Sequence, residues 1–186
     1  MRVSSVSAFR YCLPLKAPFA LGPCTIAERN GLLVRVAVEG GPVGWGDIAP
    51  LPGFSPEAVG DVVETLRAVA PSLIDRPVDE ALLRVEAAVD SSSGRFGMEQ
   101  ALIDVQAHML GPSPRAVVSY NGLLTEAGNA LRVQAERLRD TGYRAVKLKV
   151  GRQSVADDVA RVRAVYASMG AVALRLDANR AWSWTA

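Results

Sequence analysis

From residue 117 to residue 177 the chain repeats one pattern. A short apolar run is followed by a longer stretch with apolar residues three and four apart, then a glycine, then another apolar run. The runs at 117–121, 145–150 and 171–177 predict strands. The stretches at 125–141 and 154–168 predict helices ending at Gly142 and Gly170. Strands separated by a helical crossover pair in parallel, because the crossover returns the chain to the same end of the sheet. This rhythm, at a repeat of about 25 to 30 residues, predicts βα units and a parallel sheet. It commits residues 115–186 to α/β architecture.

The first 114 residues follow a different grammar. Residues 3–11, 31–38 and 43–48 read as strands, with Glu39-Gly40-Gly41-Pro42 as a tight turn between the last two. This predicts an antiparallel meander, interrupted by loops at 15–27 and 49–55. Glycines at 40, 41, 44 and 46 are no dinucleotide fingerprint, since no helix follows them directly. Ser55-Pro56-Glu57 predicts a helix start, with Val59, Val62, Val63, Leu66 and Val69 on one face and Pro71 as its stop. Asp79 is expected to cap a short second helix, residues 91–94 to form a loop, and a third helix to run over 96–110. Gly111-Pro112-Ser113-Pro114 breaks that helix and marks the expected boundary between domains 1–114 and 115–186. The expected fold class is α+β followed by α/β.

Composition narrows the function classes. With 49% hydrophobic and 22% charged residues the chain is globular in type. No apolar run is long enough to span a bilayer, and no secretory leader is evident at the N-terminus. A net charge of +2 with mixed signs makes no case for nucleic acid or an anionic membrane as partner. Two cysteines, Cys12 and Cys24, cannot build a disulfide framework and are expected to be small buried side chains. A reducing, cytoplasmic location is the expectation. His108, the only histidine, sits on a helix between Ala107 and Met109, where a packed or half-exposed structural role is expected rather than a catalytic one.

The chemistry lies in the strands of the second half. In Ala145-Val146-Lys147-Leu148-Lys149-Val150, side chains alternate between faces. Val146, Leu148 and Val150 face the covering helices, and Lys147 and Lys149 face the other way. In 173–179, Arg175, Asp177 and Asn179 alternate in the same sense with Leu174, Leu176 and Ala178. Charged side chains on the inner face of a parallel sheet are costly unless solvent or a counter-charge meets them. Adjacent ammonium groups disfavour each other's charging, so such a pair offers a neutral amine as general base. Asp177 is a hard oxygen donor suited to Mg²⁺. A base beside a divalent metal can form an enediolate from a carboxylate substrate. The same spacing also fits a structural cross-strand ion pair, Lys147–Asp177 or Arg175–Asp177.

Lys147-Leu-Lys149-Val-Gly151, followed by Arg175-Leu-Asp177-Ala-Asn179-Arg180-Ala-Trp182, resembles the enolase superfamily in its muconate-lactonizing branch. Gly44-Trp-Gly-Asp47-Ile-Ala-Pro-Leu-Pro-Gly-Phe-Ser55, Arg95-Phe-Gly-Met-Glu99 and Asn121-Gly-Leu-Leu124 resemble the o-succinylbenzoate synthase family within it. The resemblance implies a capping domain over 1–114 and the first units of a partial TIM-type (β/α)7β barrel over 115–186. It implies Lys149 as the base that removes the α-proton, with Lys147 tuning it and meeting the substrate carboxylate. Asp177 is then a Mg²⁺ ligand, and Arg175 and Asn179 support the substrate and ligand. Phe19 and the segment Pro52, Gly53, Phe54 and Ser55 become substrate-contacting loops, where the residues alone would also fit plain connectors. The implied reaction is dehydration of 2-succinyl-6-hydroxy-2,4-cyclohexadiene-1-carboxylate, a small-molecule carboxylate, to o-succinylbenzoate in menaquinone biosynthesis.

The chain departs from the family in two ways. Asp47 stands where a glutamate is more usual. The further glutamate and aspartate ligands and the second catalytic lysine of the family have no counterpart, and a barrel cannot close with three strands. The expectation is a truncated version of the enzyme, inactive alone and with an open sheet edge. Related readings are an N-acylamino acid racemase or dipeptide epimerase of the same superfamily, or a non-catalytic α+β interaction domain.

Overall fold

The computed structural model describes residues 1–21, 24–111, 117–179 and 181–183, with side chains for all of these except 19–21 and 24. The chain divides into two compact units, Met1–Pro114 and Arg115–Ala186.

In the first unit, β1 (Val3–Leu21), β2 (Cys24–Val38) and β3 (Val43–Ile48) form an antiparallel sheet in the order β1-β2-β3. Leu32, Val34, Val36 and Val38 of β2 are all buried, the period-two signature of a strand with one face on a core. Three helices follow: α1 (Val59–Val69), continued by a single 3₁₀ turn over Ala70–Leu73, then α2 (Val78–Ala88) and α3 (Ser92–Leu110). Val62, Leu66, Val85, Met98 and Leu102 close the core beneath the sheet.

Helix α3 lies almost backbone to backbone on β3. A Cβ at Gly46 would stand 1.8 Å from the Gly97 carbonyl oxygen, and one at Gly44 would stand 2.0 Å from that of Ala101. The edge of β3 is also closed by α3. The Trp45 N–H donates to Asp104 Oδ2 at 2.9 Å and the Asp47 N–H to Gln100 Oε1 at 3.0 Å. Two side chains one helical turn apart thereby satisfy alternate N–H groups of an otherwise open edge.

Several local expectations change. Residues 15–21 and 24–27 are not a loop but the outer part of the β1–β2 hairpin, with Phe19 paired to Ile26 and Leu21 to Cys24. The register slips between Pro14 and Phe19. That segment contains Pro14 and Pro18, which have no N–H to give to the ladder. Helix α1 begins after Ala58 rather than at Ser55. The Ala58 N–H donates to Asp61 Oδ2, while Ser55 Oγ is taken by the Leu51 N–H. Asp79 is inside the first turn of α2, whose N-cap is Pro77. Residues 92–94 belong to the first turn of α3, not to a loop, because Glu57 accepts from the Ser93 N–H at 2.9 Å. Cys12 is exposed, with its thiol donating to Glu28 Oε2 at 3.0 Å. The side chain of Cys24 lies outside the described residues.

The second unit is a parallel sheet of β4 (Gly122–Leu124), β5 (Ala145–Lys149) and β6 (Ala173–Asp177) in that order, with α4 (Gly128–Asp140) and α5 (Val155–Met169) as crossovers. The first strand is shorter and later than expected. Residues 117–120 are exposed and outside any strand. Leu124, Val146, Leu148 and Val150 pack under Leu131, Ala135, Val165 and Met169, so both helices cover one face. Leu176 shares that face on β6 yet is 45% exposed. The helices bury β4 and β5 more fully than β6, where Leu174 packs partly buried against the same cluster and Leu176 does not. Among the described residues no helix is long and apolar enough to cross a membrane.

Gly46→Ala is expected to lower the melting temperature of the first unit, since the new methyl must push α3 off β3 at about 1–3 kcal/mol. Gly60→Ala, in α1 with nothing within 4 Å of the added methyl, is expected to leave it unchanged or raise it. Thermal unfolding followed by circular dichroism checks both. Equal melting temperatures for Gly46→Ala and the parent chain would contradict the close helix–strand contact.

Candidate functional site

In the second unit the strand register assembles the charged face. Lys147 pairs with Arg175 and Lys149 with Asp177, so all four side chains share the side away from the helices. Leu123 of β4, in register with Lys147, adds an apolar side chain to that face. The Lys147 ammonium reaches diagonally to Asp177 Oδ2 at 2.9 Å. Both side chains are partly buried, at 37% and 25% exposure.

Asp177 is held from two sides. Oδ2 accepts from Lys147, and Oδ1 accepts from the Asn179 N–H at 3.0 Å. Asn179 adopts φ +46, a conformation that asparagine tolerates better than most residues, and this folds its amide back onto the carboxylate. The hydrogen bond from Lys147, then the one from Asn179, lowers the Asp177 pKa below the ordinary carboxylate value, with the Lys147 and Lys149 charges adding to the effect. Lys149 is half-buried one register step beyond Lys147. Arg175 is exposed and lines, with Asn121, Tyr143, Arg144 and Ala173, an open groove of about 810 Å³.

The predicted residues Lys147, Lys149, Arg175, Asp177 and Asn179 thus come together on one sheet face and its C-terminal turn. The ion pair anticipated as the structural alternative is present between Lys147 and Asp177, while Lys149 stands beside the same carboxylate. Pro52, Gly53, Phe54 and Ser55 belong to the first unit. Pro52, Gly53 and Ser55 line a cleft of about 570 Å³ with residues 25–30 of β2. Phe54 is 39% exposed, and the side chain of Phe19 lies outside the described residues.

As a metal site the described residues fall short. Asp177 is the one acidic side chain on the three strands, and both its oxygens are engaged. No three His, Cys, Asp or Glu side chains cluster among the described residues. An octahedral Mg²⁺ needs more oxygen donors than one carboxylate supplies.

One feature escaped the sequence reading. Arg29 ties the Pro-rich segment to β2, donating to the Ala49 carbonyl at 2.8 Å and to the Pro50 carbonyl at 3.2 Å. No periodicity marks a single arginine for such a role. A compositional signal was available for the lysines. The chain has 18 arginines and three lysines, Lys16, Lys147 and Lys149. A chain that uses arginine for almost every side-chain cation has two of its three lysines on a single strand.

Residues 3–105 match the family described as MenC, N-terminal domain, and residues 130–186 match the enolase C-terminal domain-like family. The chain is 32% identical over 185 residues to the o-succinylbenzoate synthase of Klebsiella pneumoniae strain 342, covering 98% of this chain and 52% of that protein. It is 27% identical over 196 residues to the L-Ala-D/L-Glu epimerase of Bacillus subtilis strain 168, covering 98% and 54%. The solved structure of o-succinylbenzoate synthase from Thermosynechococcus elongatus BP-1, complexed with Mg in its active site, superposes with a TM-score of 0.76 at 26% identity, over 96% of this chain and 53% of that one. The chain spans about half the length of the curated relatives it matches.

Lys147→Gln removes the ammonium that lowers the Asp177 pKa, so the titration midpoint of that carboxyl is expected to rise toward the ordinary value of about 3.9. Because the folded-state pKa is lowered, the pair's contribution to stability is complete above about pH 4 and fades as pH falls through the lowered value. Carboxyl-carbon NMR titration of the parent and variant checks this, and identical midpoints would rule the pair out as the cause.

Proposed function

The chain belongs to the MenC N-terminal-domain family of the enolase superfamily, and on that basis we propose that it carries the base of a carbon-acid reaction of the o-succinylbenzoate synthase type. The observation that carries this reading is the register of Lys149 beside Asp177, with Lys147 bridged to the same carboxylate. Lys149 Nζ takes the proton from the carbon next to the substrate carboxylate. The Lys147 ammonium faces the negative charge that develops there, in a partly buried setting where such a charge counts for more than in water. The hydroxyl on the neighbouring carbon then leaves, and together with the abstracted proton it accounts for the water lost. Aromatisation of the ring drives the step. The product is o-succinylbenzoate.

A Mg-containing relative implies a divalent cation for the whole reaction. Asp177 is where this chain offers a ligand, and the remaining donors would have to come from outside the described residues. The roles of Lys149 and Lys147 are what this chain's own residues contribute. Pro52, Gly53, Phe54 and Ser55, which follow the Ala49 and Pro50 carbonyls held by Arg29, are the substrate-contacting segment of the first unit in this reading, and Phe19 belongs with them by the resemblance alone. The match to an L-Ala-D/L-Glu epimerase over 98% of the chain favours a second reading, in which the proton removed by Lys149 is returned to the substrate as an epimerase or racemase. Both readings share the first half-reaction and differ in the product.

With Mg²⁺ and 2-succinyl-6-hydroxy-2,4-cyclohexadiene-1-carboxylate, a protein containing this chain is expected to form o-succinylbenzoate, and Lys149→Ala to cut turnover by about 10²–10⁴-fold. Residues 1–186 alone, with one carboxylate for the metal, are expected to be inactive. Turnover that survives Lys149→Ala would rule Lys149 out as the base. Epimerisation of L-Ala-L-Glu with no dehydration would select the second reading.

A further inference from the structure

The backbone that follows Lys149 is gripped by an ion pair that the reaction itself does not use. Arg161, on α5, donates from Nη1 to the Lys149 carbonyl at 3.2 Å and to Asp158 Oδ1 at 3.0 Å. The other Asp158 oxygen, Oδ2, accepts from the Gly151 N–H at 2.6 Å. The intervening Val150 N–H donates to the Asp177 carbonyl at 3.0 Å. Three successive residues behind the base are therefore each held by a different anchor, one of them the strand that carries Asp177. Gly151 closes the arrangement with φ +83, and a Cβ there would stand 2.7 Å from that of Ala181.

Stability alone is a poor account of this pair. Asp158 is only 4% exposed, and an ion pair taken out of water returns little net stabilisation against its desolvation. Arg161 Nε is buried with no hydrogen-bond partner among the described residues, which adds a further cost. Nor is Asp158 needed to start the helix. Ser154 Oγ caps α5 by accepting from the Asp157 N–H, and the Asp158 carboxylate turns away to Gly151 and Arg161. What the pair does accomplish is to fix the peptide units from Lys149 to Gly151.

We propose that Asp158 and Arg161 are positioning residues for Lys149, holding the backbone at 149–151 so that its amine keeps one presentation on the charged face. The inference rests on Lys149 being the base, but its test needs no substrate. Lys16, Lys147 and Lys149 are the only lysines, so amine acylation read by mass spectrometry reports on the site with an internal control in the other unit. In the full 186-residue chain, Asp158→Asn and Arg161→Met are expected to change the acylation rate of Lys149 relative to Lys147 by about threefold or more, as contacting groups commonly couple by that much. Lys16 is expected not to change. Asp158→Glu, which keeps a carboxylate for the Gly151 N–H and Arg161 and adds no amine, is expected to keep most of the parent ratio. Lys147 and Lys149 changing in step would mean that the pair merely holds the sheet together, and an unchanged ratio in both variants would mean that it does not reach Lys149. Either result overturns the proposal. Loss of the functional reading would show up separately, as turnover or proton exchange that persists in Lys149→Ala while the labelling result stands.

Discussion

The parallel ladder between β5 and β6 is the constraint on which the candidate site depends. Side chains alternate along a strand, so a slip of one residue would turn Asp177 to the helix face and leave Lys147 and Lys149 without it. The register is pinned at both ends, by the Ala173 N–H on the Arg144 carbonyl and by the Val150 N–H on the Asp177 carbonyl. It is pinned in depth by Val146, Leu148 and Val150, which have no exposed alternative once α4 and α5 lie over them. Apolar burial on one face thus decides where the charges go on the other.

Polar side chains hold backbone in both units. Asp104 and Gln100 cover the N–H groups of β3, Arg29 takes the carbonyls of Ala49 and Pro50, and Asp158 with Arg161 takes the groups on either side of Val150. In each case an element of regular structure reaches across to backbone groups that the strand ladders leave unpaired.

The βα rhythm after residue 117 was legible because buried strands and amphipathic helices leave different periods, and the faces assigned to Lys147, Lys149 and Asp177 follow from alternation alone. The β1–β2 hairpin was not legible beyond residue 14. Pro14, Lys16 and Pro18 read as a loop, and only the partner strand across from them keeps the chain extended. Ser55-Pro56 looks like a helix start in isolation, but Leu51 takes the serine hydroxyl and moves the start to Ala58. Gly44 and Gly46 could be recognised as a motif, yet the reason for them is the backbone of α3, some fifty residues away.

Local pattern therefore determined the α+β then α/β order, the strand that carries the lysines and the face on which they emerge. Those properties depend on neighbours one to four residues apart. The tertiary structure decided the diagonal Lys147–Asp177 bridge, the Asn179 amide folded onto the carboxylate, and the Asp158–Arg161 grip on the backbone behind Lys149. Such contacts depend on strand register, on helix docking and on a positive φ at Asn179, and distances set by packing between elements leave no periodic trace in the order of the residues.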